Sequence, residues 1–146
     1  MKSSQLTKDS LPFGSILIFC STLSYIRQLD SEFKRYKFYD DHEVVMLHSI
    51  YRDAVEKVSQ PIKPGSRRII LATNIAETSL TFPDVVHVID LGLSKSSVYN
   101  SVTNITAFNL ETTFKSSANQ RRGRVGRVRP GVCFRLYSKK DYELMA

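Results

Sequence analysis

No stretch of the 146-residue chain approaches the length of about 18 consecutive apolar residues that a membrane helix needs. Residues 1–10 are polar and hold no apolar signal-peptide core, so neither a membrane span nor export is expected. Cysteine is scarce. Cys20 and Cys133 stand in separate apolar runs, without a Cys or His neighbour at metal-ligand spacing. Buried, reduced thiols in a cytosolic or nuclear compartment fit that usage better than a disulfide framework. His42, His48 and His87 are scattered, so no metal site is expected, and no nucleophile–base pair or carboxylate dyad is visible. There are no internal repeats and no low-complexity tract. The phosphate-cradling pattern G-x-x-x-x-G-K-[ST] is missing as well, which leaves the chain without a self-sufficient site of that kind for a nucleotide.

What is present is a globular balance: 42% hydrophobic and 24% charged residues in a length suited to one domain. The formal charge is +7. Nine of the 21 Lys and Arg residues fall between Lys115 and Lys140, a span with no Asp or Glu. A block of that kind favours phosphate, in nucleic acid or in a nucleotide, and composition alone equally allows a solvated basic face.

Five short apolar runs read as strands buried on both faces: Ser15 to Cys20, Glu43 to His48, Arg68 to Thr73, Val85 to Asp90 and Gly131 to Tyr137. Between the first two, Leu23, Ile26, Leu29 and Phe33 recur at helical spacing behind a Ser21/Thr22 cap, predicting a helix over 22–36. Tyr51 to Val58 is a shorter helical stretch, closed by Lys63-Pro64-Gly65. Alternating strand and helix imply right-handed crossovers, a mostly parallel sheet and an α/β three-layer domain. Leu93 to Lys115 breaks that rhythm with short alternation and predicts an inserted β-hairpin turning near Thr103-Asn104. The expected organisation is a flexible lead over 1–14 and one domain over 15–146, with the insertion at 93–115.

The sharpest chemical signal is the octet QRRGRVGR, Gln120 to Arg127. Four arginines so close together repel one another unless an anion compensates. On a helix, Arg121, Arg124 and Arg127 would follow at intervals of three and share a face, so that two guanidinium groups could reach one phosphate. Their forked, permanently charged donors match phosphate oxygens. Gly123 and Gly126 remove side chains between them and let the segment lie close to another surface. The alternative is a basic helix that binds RNA or is merely solvated.

The second signal is LATNIAETSLTFPDVVHVID, Leu71 to Asp90. A strand ending at Thr73 delivers Thr73, Asn74, Glu77, Thr78, Ser79 and Thr81 to the carboxyl edge of a parallel sheet, where open α/β folds bind ligands. Read without context, these groups mean only helix capping, and Asp90 before Gly92 only a turn.

Together with FCSTLSYIRQL (Phe19 to Leu29) and LHSIYRDAVEKV (Leu47 to Val58), these blocks resemble the second RecA-like domain of DEAH/RHA-type DExH-box RNA helicases. The resemblance runs from Ile16 to Tyr137 and keeps the family's order of motifs IV, IVa, V and VI. It implies a RecA-like, P-loop NTPase-like fold and one half of an ATP-dependent RNA helicase, inactive as an ATPase alone. ATP with Mg²⁺ would be bound mainly by the first RecA-like domain of the same parent chain. The resemblance makes Arg124 and Arg127 arginine fingers to the γ-phosphate, with Gln120 ordering the attacking water or that phosphate. Ser79 and Thr81 would couple nucleotide state to domain closure. Ser21, Thr22, His48, Ser49, Thr73 and Asn74 would touch the backbone of single-stranded RNA, and the hairpin would help to separate strands. Further protein partners are compatible with the family; a membrane is not implied.

The chain departs from the family pattern at two points. Pro83 occupies the slot where many relatives place an aspartate for the ribose, and Asp84 follows one residue later. The first motif reads FCSTLSYI in place of the commoner FLPG-type sequence. The FPDVVHVID form is similar to the tudor-domain-containing helicases of the germline small-RNA (piRNA) pathway, Spindle-E type; a cytoplasmic or nuclear parent is expected, with the cytoplasm, germline granules included, favoured. The competing function is a helicase-derived scaffold that binds RNA or protein without ATP turnover; a stand-alone basic RNA-binding domain is the third.

Overall fold

The computed structural model describes residues 13–78 and 80–146. Residues 1–12 of the expected lead, and Ser79, lie outside the described residues. Strands β1 (Ser15–Phe19), β2 (His42–Leu47), β3 (Arg67–Ala72), β4 (Val85–Asp90) and β7 (Val132–Arg135) form one sheet in the order β2-β3-β1-β4-β7, and every pairing is parallel. Each of the five apolar runs supplies one of these strands. The last is shorter than its run, because Leu136 and Tyr137 have already left the ladder.

Helix α1 (Leu23–Arg35) follows β1, α2 (Ala54–Ser59) follows β2, α3 (Lys115–Arg122) precedes β7, and α4 (Lys139–Leu144) closes the described chain. Thr22 caps α1, its hydroxyl accepting from the Tyr25 amide at 3.2 Å. Helix α2 begins three residues later than its apolar pattern, since Tyr51 to Asp53 form a turn before it.

Alternation along the strands divides the core in two. Leu17, Phe19, Val45, Leu47, Ile70, Ala72 and Val88 face one side, with Ala54 of α2 and Ala76 and Phe82 of the segment after β3. Ile18, Cys20, Ile69 and Leu71 face the other, against Ile26, Leu29 and Phe33 of α1. Helix, sheet and the opposite covering layer make the three-layer RecA-like architecture. Each fully buried aliphatic or aromatic side chain contributes about 1.5–3 kcal/mol of transfer free energy.

Strands β5 (Leu93–Asn100) and β6 (Ile105–Thr112) pair antiparallel in a sheet of their own, the inserted hairpin. Its turn includes Thr103 and Asn104, and Asn104 adopts φ +56°, a left-handed conformation that asparagine tolerates. The hairpin is mostly exposed along both strands. Among the described residues no helix is long and apolar enough to cross a membrane. Both cysteines are free, Cys20 buried and Cys133 half-buried.

Candidate functional site

The parallel sheet sends the ends of β2, β3 and β1 to one edge, as adjacent strands in that order. His48 and Ser49 follow β2, Thr73 and Asn74 follow β3, and Ser21 and Thr22 follow β1. At the usual strand spacing these three pairs span roughly 10 Å. Asn74 and Ser49 are exposed, and Ser21 is buried. The Thr22 hydroxyl oxygen is engaged in the α1 cap, and His48 Nδ1 accepts from the Ile50 amide at 3.3 Å. Ser21 and Asn74 line one small cleft together with Cys20, Ser94, Lys95 and Arg121.

The arginine octet does not take the single helix on which its arginines would share a face. Helix α3 stops at Arg122, Gly123 caps it, and 124–129 run as turns and bends. Gly126 lies at φ +79° with open space around a prospective Cβ, so it is backbone conformation that favours glycine there, not close packing. Val125 packs against the core cluster beneath the sheet, and Arg124 Nη1 donates to the Leu80 carbonyl at 2.9 Å. These two tethers fold the segment back onto the Thr81 loop. Arg124 and Arg127 therefore share a cleft with Thr81, Pro83, Gly126 and Val128 through a loop, not along a helix face.

Arg121 departs furthest from the expectation that the octet's arginines face phosphate together. Its side chain is 1% exposed. Nε donates to Glu77 Oε1 at 2.9 Å, Nη1 to Asp90 Oδ1 at 2.7 Å and Nη2 to the Leu93 carbonyl at 3.3 Å. Its guanidinium centre stands 5.1 Å from the Phe19 ring centroid. The compensating anions for this arginine are internal. Asp90 is fully buried, and its second oxygen accepts from the Tyr137 hydroxyl at 2.7 Å while its first also accepts from the Gly92 amide at 2.9 Å. Burial, then this contact with Asp90, raises the Tyr137 hydroxyl above its ordinary pKa. Glu77 and Asp90, which local sequence marks only as a cap and a turn, thus carry the ion-pair network that joins α3 to the segment after β3 and to the end of β4. Glu77 lies 44 residues from Arg121, beyond the reach of any local pattern.

Gln120 is exposed on the last turn of α3 and is not among the residues lining the arginine cleft. Asp84 is half-buried and likewise outside the cleft lining, its carboxylate 3.7 Å from Arg129 Nη2. Ser79 lies outside the described residues. Burial, then the neighbouring Arg127 charge, lowers the Arg124 pKa below its ordinary value, with Glu77 acting in the opposite sense. Two guanidinium groups that repel across a cleft suit an added anion. Arg124 Nε is buried without a hydrogen-bond partner, a donor still unsatisfied among the described residues. Those features fit a phosphate. For a divalent cation, the described residues contain no group of three or more His, Cys, Asp and Glu placed to hold one.

Comparison with known proteins bears on the family and the fold. The helicase conserved C-terminal domain family matches residues 2–129. Human ATP-dependent RNA helicase DHX29 is 43% identical over 134 residues, covering 89% of this chain and 10% of that protein. Bovine ATP-dependent DNA/RNA helicase DHX36 is 39% identical over 144 residues, covering 90% of this chain and 14% of that protein. The crystal structure of the E. coli DExH-box NTPase HrpB superposes with a TM-score of 0.83 at 29% identity, over 92% of this chain and 17% of that one. The chain thus spans about a tenth to a sixth of the length of these relatives. It belongs to the helicase conserved C-terminal domain family and shares its RecA-like fold with the DExH-box NTPase HrpB.

Proposed function

We propose that this domain closes over an ATP site built mainly by a first RecA-like domain of the same parent and supplies that site with two arginine fingers. The observation that carries the reading is the shared cleft of Arg124, Arg127 and Thr81, held in place by the Arg124–Leu80 hydrogen bond. Arg127 is exposed and free to reach across a domain boundary, while Arg124 keeps an unsatisfied Nε beside its anchored Nη1. Guanidinium groups that meet charge developing on a transferred phosphoryl group contribute about 10³ to 10⁵ in rate.

In this reading Gln120, exposed at the end of α3, orders the attacking water or the γ-phosphate. Ser79 and Thr81 report nucleotide state to the sheet edge, and Asp84 takes over a ribose contact from the position held by Pro83. Mg²⁺, bound with the ATP, is held by acidic groups of the first domain. The edge built by Ser21, Thr22, His48, Ser49, Thr73 and Asn74 grips the RNA backbone without reading bases. Repeated closure and opening then move a single strand along the cleft toward the hairpin.

The test is RNA-stimulated ATP hydrolysis by the whole parent. Arg124→Ala and Arg127→Ala are each expected to lower kcat by about 10³ or more while RNA binding survives. Wild-type turnover in both variants would remove the finger assignment. An unmodified parent without RNA-stimulated turnover would instead favour the scaffold function.

A further inference from the structure

The six residues assigned to the RNA edge supply hydroxyls, an amide and an imidazole, and none is a lysine or arginine. Such groups hydrogen-bond phosphate but bring no fixed charge to displace counterions from a polyanion. The small cleft at the β1 and β3 ends contains two cations, Lys95 and Arg121. They are not equivalent. Arg121 is buried and its charge is already matched by Glu77 and Asp90. Lys95 is exposed, and among the described residues it makes no ion pair.

Lys95 belongs to hairpin strand β5, outside the loops that end the main-sheet strands. Its Nζ stands 4.0 Å from the centroid of the Phe108 ring. The register places Lys95 opposite Leu110, with Phe108 on the adjoining pair of the same face. An aromatic ring steadies an ammonium without neutralising it, so the charge stays available. The backbone two residues earlier is fixed, because Arg121 Nη2 donates to the Leu93 carbonyl and the Thr113 amide donates to the Gly92 carbonyl at 2.9 Å. Lys95 is thereby held beside Ser21 and Asn74 by the same arginine that fills the floor of their cleft.

We infer that Lys95 is a phosphate-binding residue of the RNA edge, supplying the fixed positive charge that Ser21 and Asn74 lack. The inference rests on the assignment of that edge to single-stranded RNA. It makes the hairpin root part of the strand's path. A lysine reading backbone charge recognises no base, so the contribution is equal for different sequences.

The experiment is fluorescence anisotropy of labelled single-stranded oligouridylate and oligoadenylate with the whole parent across a salt series, for Lys95→Gln, Lys95→Arg and Asn74→Ala. Lys95→Gln is expected to weaken both RNAs by the same factor, about threefold to tenfold, and to reduce the salt slope by about 0.7, with Lys95→Arg near wild type. Unchanged affinity and slope in Lys95→Gln, with weakened binding in Asn74→Ala, would overturn the role of Lys95 and leave the edge assignment standing. No effect in either Lys95→Gln or Asn74→Ala would overturn the edge assignment itself and the inference with it.

Discussion

Arg121 Nε lies 2.9 Å from Glu77 Oε1, inside a core where the arginine side chain is 1% exposed and the glutamate 9%. With Asp90 on its Nη1 at 2.7 Å, one guanidinium satisfies two carboxylates, one from the connection after β3 and one from the end of β4. Removing a single partner from such a set leaves charge buried and unmatched.

Arg121→Ala is accordingly expected to destabilise the fold by about 3–5 kcal/mol, seen as a lower urea midpoint at similar m-value. Arg121→Lys should recover only part of that loss, since an ammonium cannot present the same fork to Glu77, Asp90 and the Leu93 carbonyl. A midpoint within error of wild type for Arg121→Ala would show that the network does not contribute to stability.

Arg124 supports a different expectation, because its guanidinium is divided between a carbonyl it already holds and a donor it still offers. Arg124→Lys keeps the charge but has one nitrogen for both tasks. RNA-stimulated kcat of the parent should therefore fall by about 10² or more in the lysine variant, with ATP hydrolysis rates as the measurement. Full activity in Arg124→Lys would mean that charge alone is used at this position.

Two glycines with positive φ separate backbone cost from packing cost. Gly92 sits at φ +74°, and a Cβ there would come within 2.5 Å of the Tyr137 ring, whereas Gly65 at φ +80° has nothing within 4 Å. Gly65→Ala should cost about 1–2 kcal/mol, from conformation alone. Gly92→Ala should cost about 1–3 kcal/mol more, because the ring that hydrogen-bonds Asp90 must move. Thermal melts of the two variants measure the difference, and equal shifts would refute the steric part.

Burial pushes the Cys20 thiol up to about 12 from 9.0, against the opposing influence of Arg121. The unfolded thiol ionises first as pH rises, while the folded one keeps its proton. Stability from this group is therefore complete below pH 9 and declines as pH climbs toward 12. At pH 8 the native Cys20 should resist iodoacetamide and become alkylated on unfolding, a contrast that peptide mass spectrometry resolves.

The elements most legible in the sequence are those whose side chains obey one period. Continuous apolar runs such as Ser15 to Cys20 mark strands covered on both faces, and the alternation around Thr103-Asn104 locates the hairpin turn, because in both cases local burial decides the conformation. Leu23, Ile26, Leu29 and Phe33 do the same for α1. The octet stands out in the sequence by its charge, but its shape was not legible there. Helical spacing groups Arg121 with Arg124 and Arg127, yet Arg121 is claimed by carboxylates 31 and 44 residues away, and Val125 and Leu80 draw the following segment out of the helix. Contacts of that range have no period to reveal them. The place of Lys95 was hidden for the same reason, since it depends on where the root of the hairpin comes to lie.

The hold of Arg121 on the Leu93 carbonyl also has a mechanical side. Eight residues of β5 extend from that point, a reach of roughly 26 Å at the usual rise. Force applied near Val102, which is 92% exposed at the tip, acts through that length as a torque on the root. The root is bonded to the helix that leads into Arg124 and Arg127, so load on the hairpin tip is passed to the segment that carries both arginines.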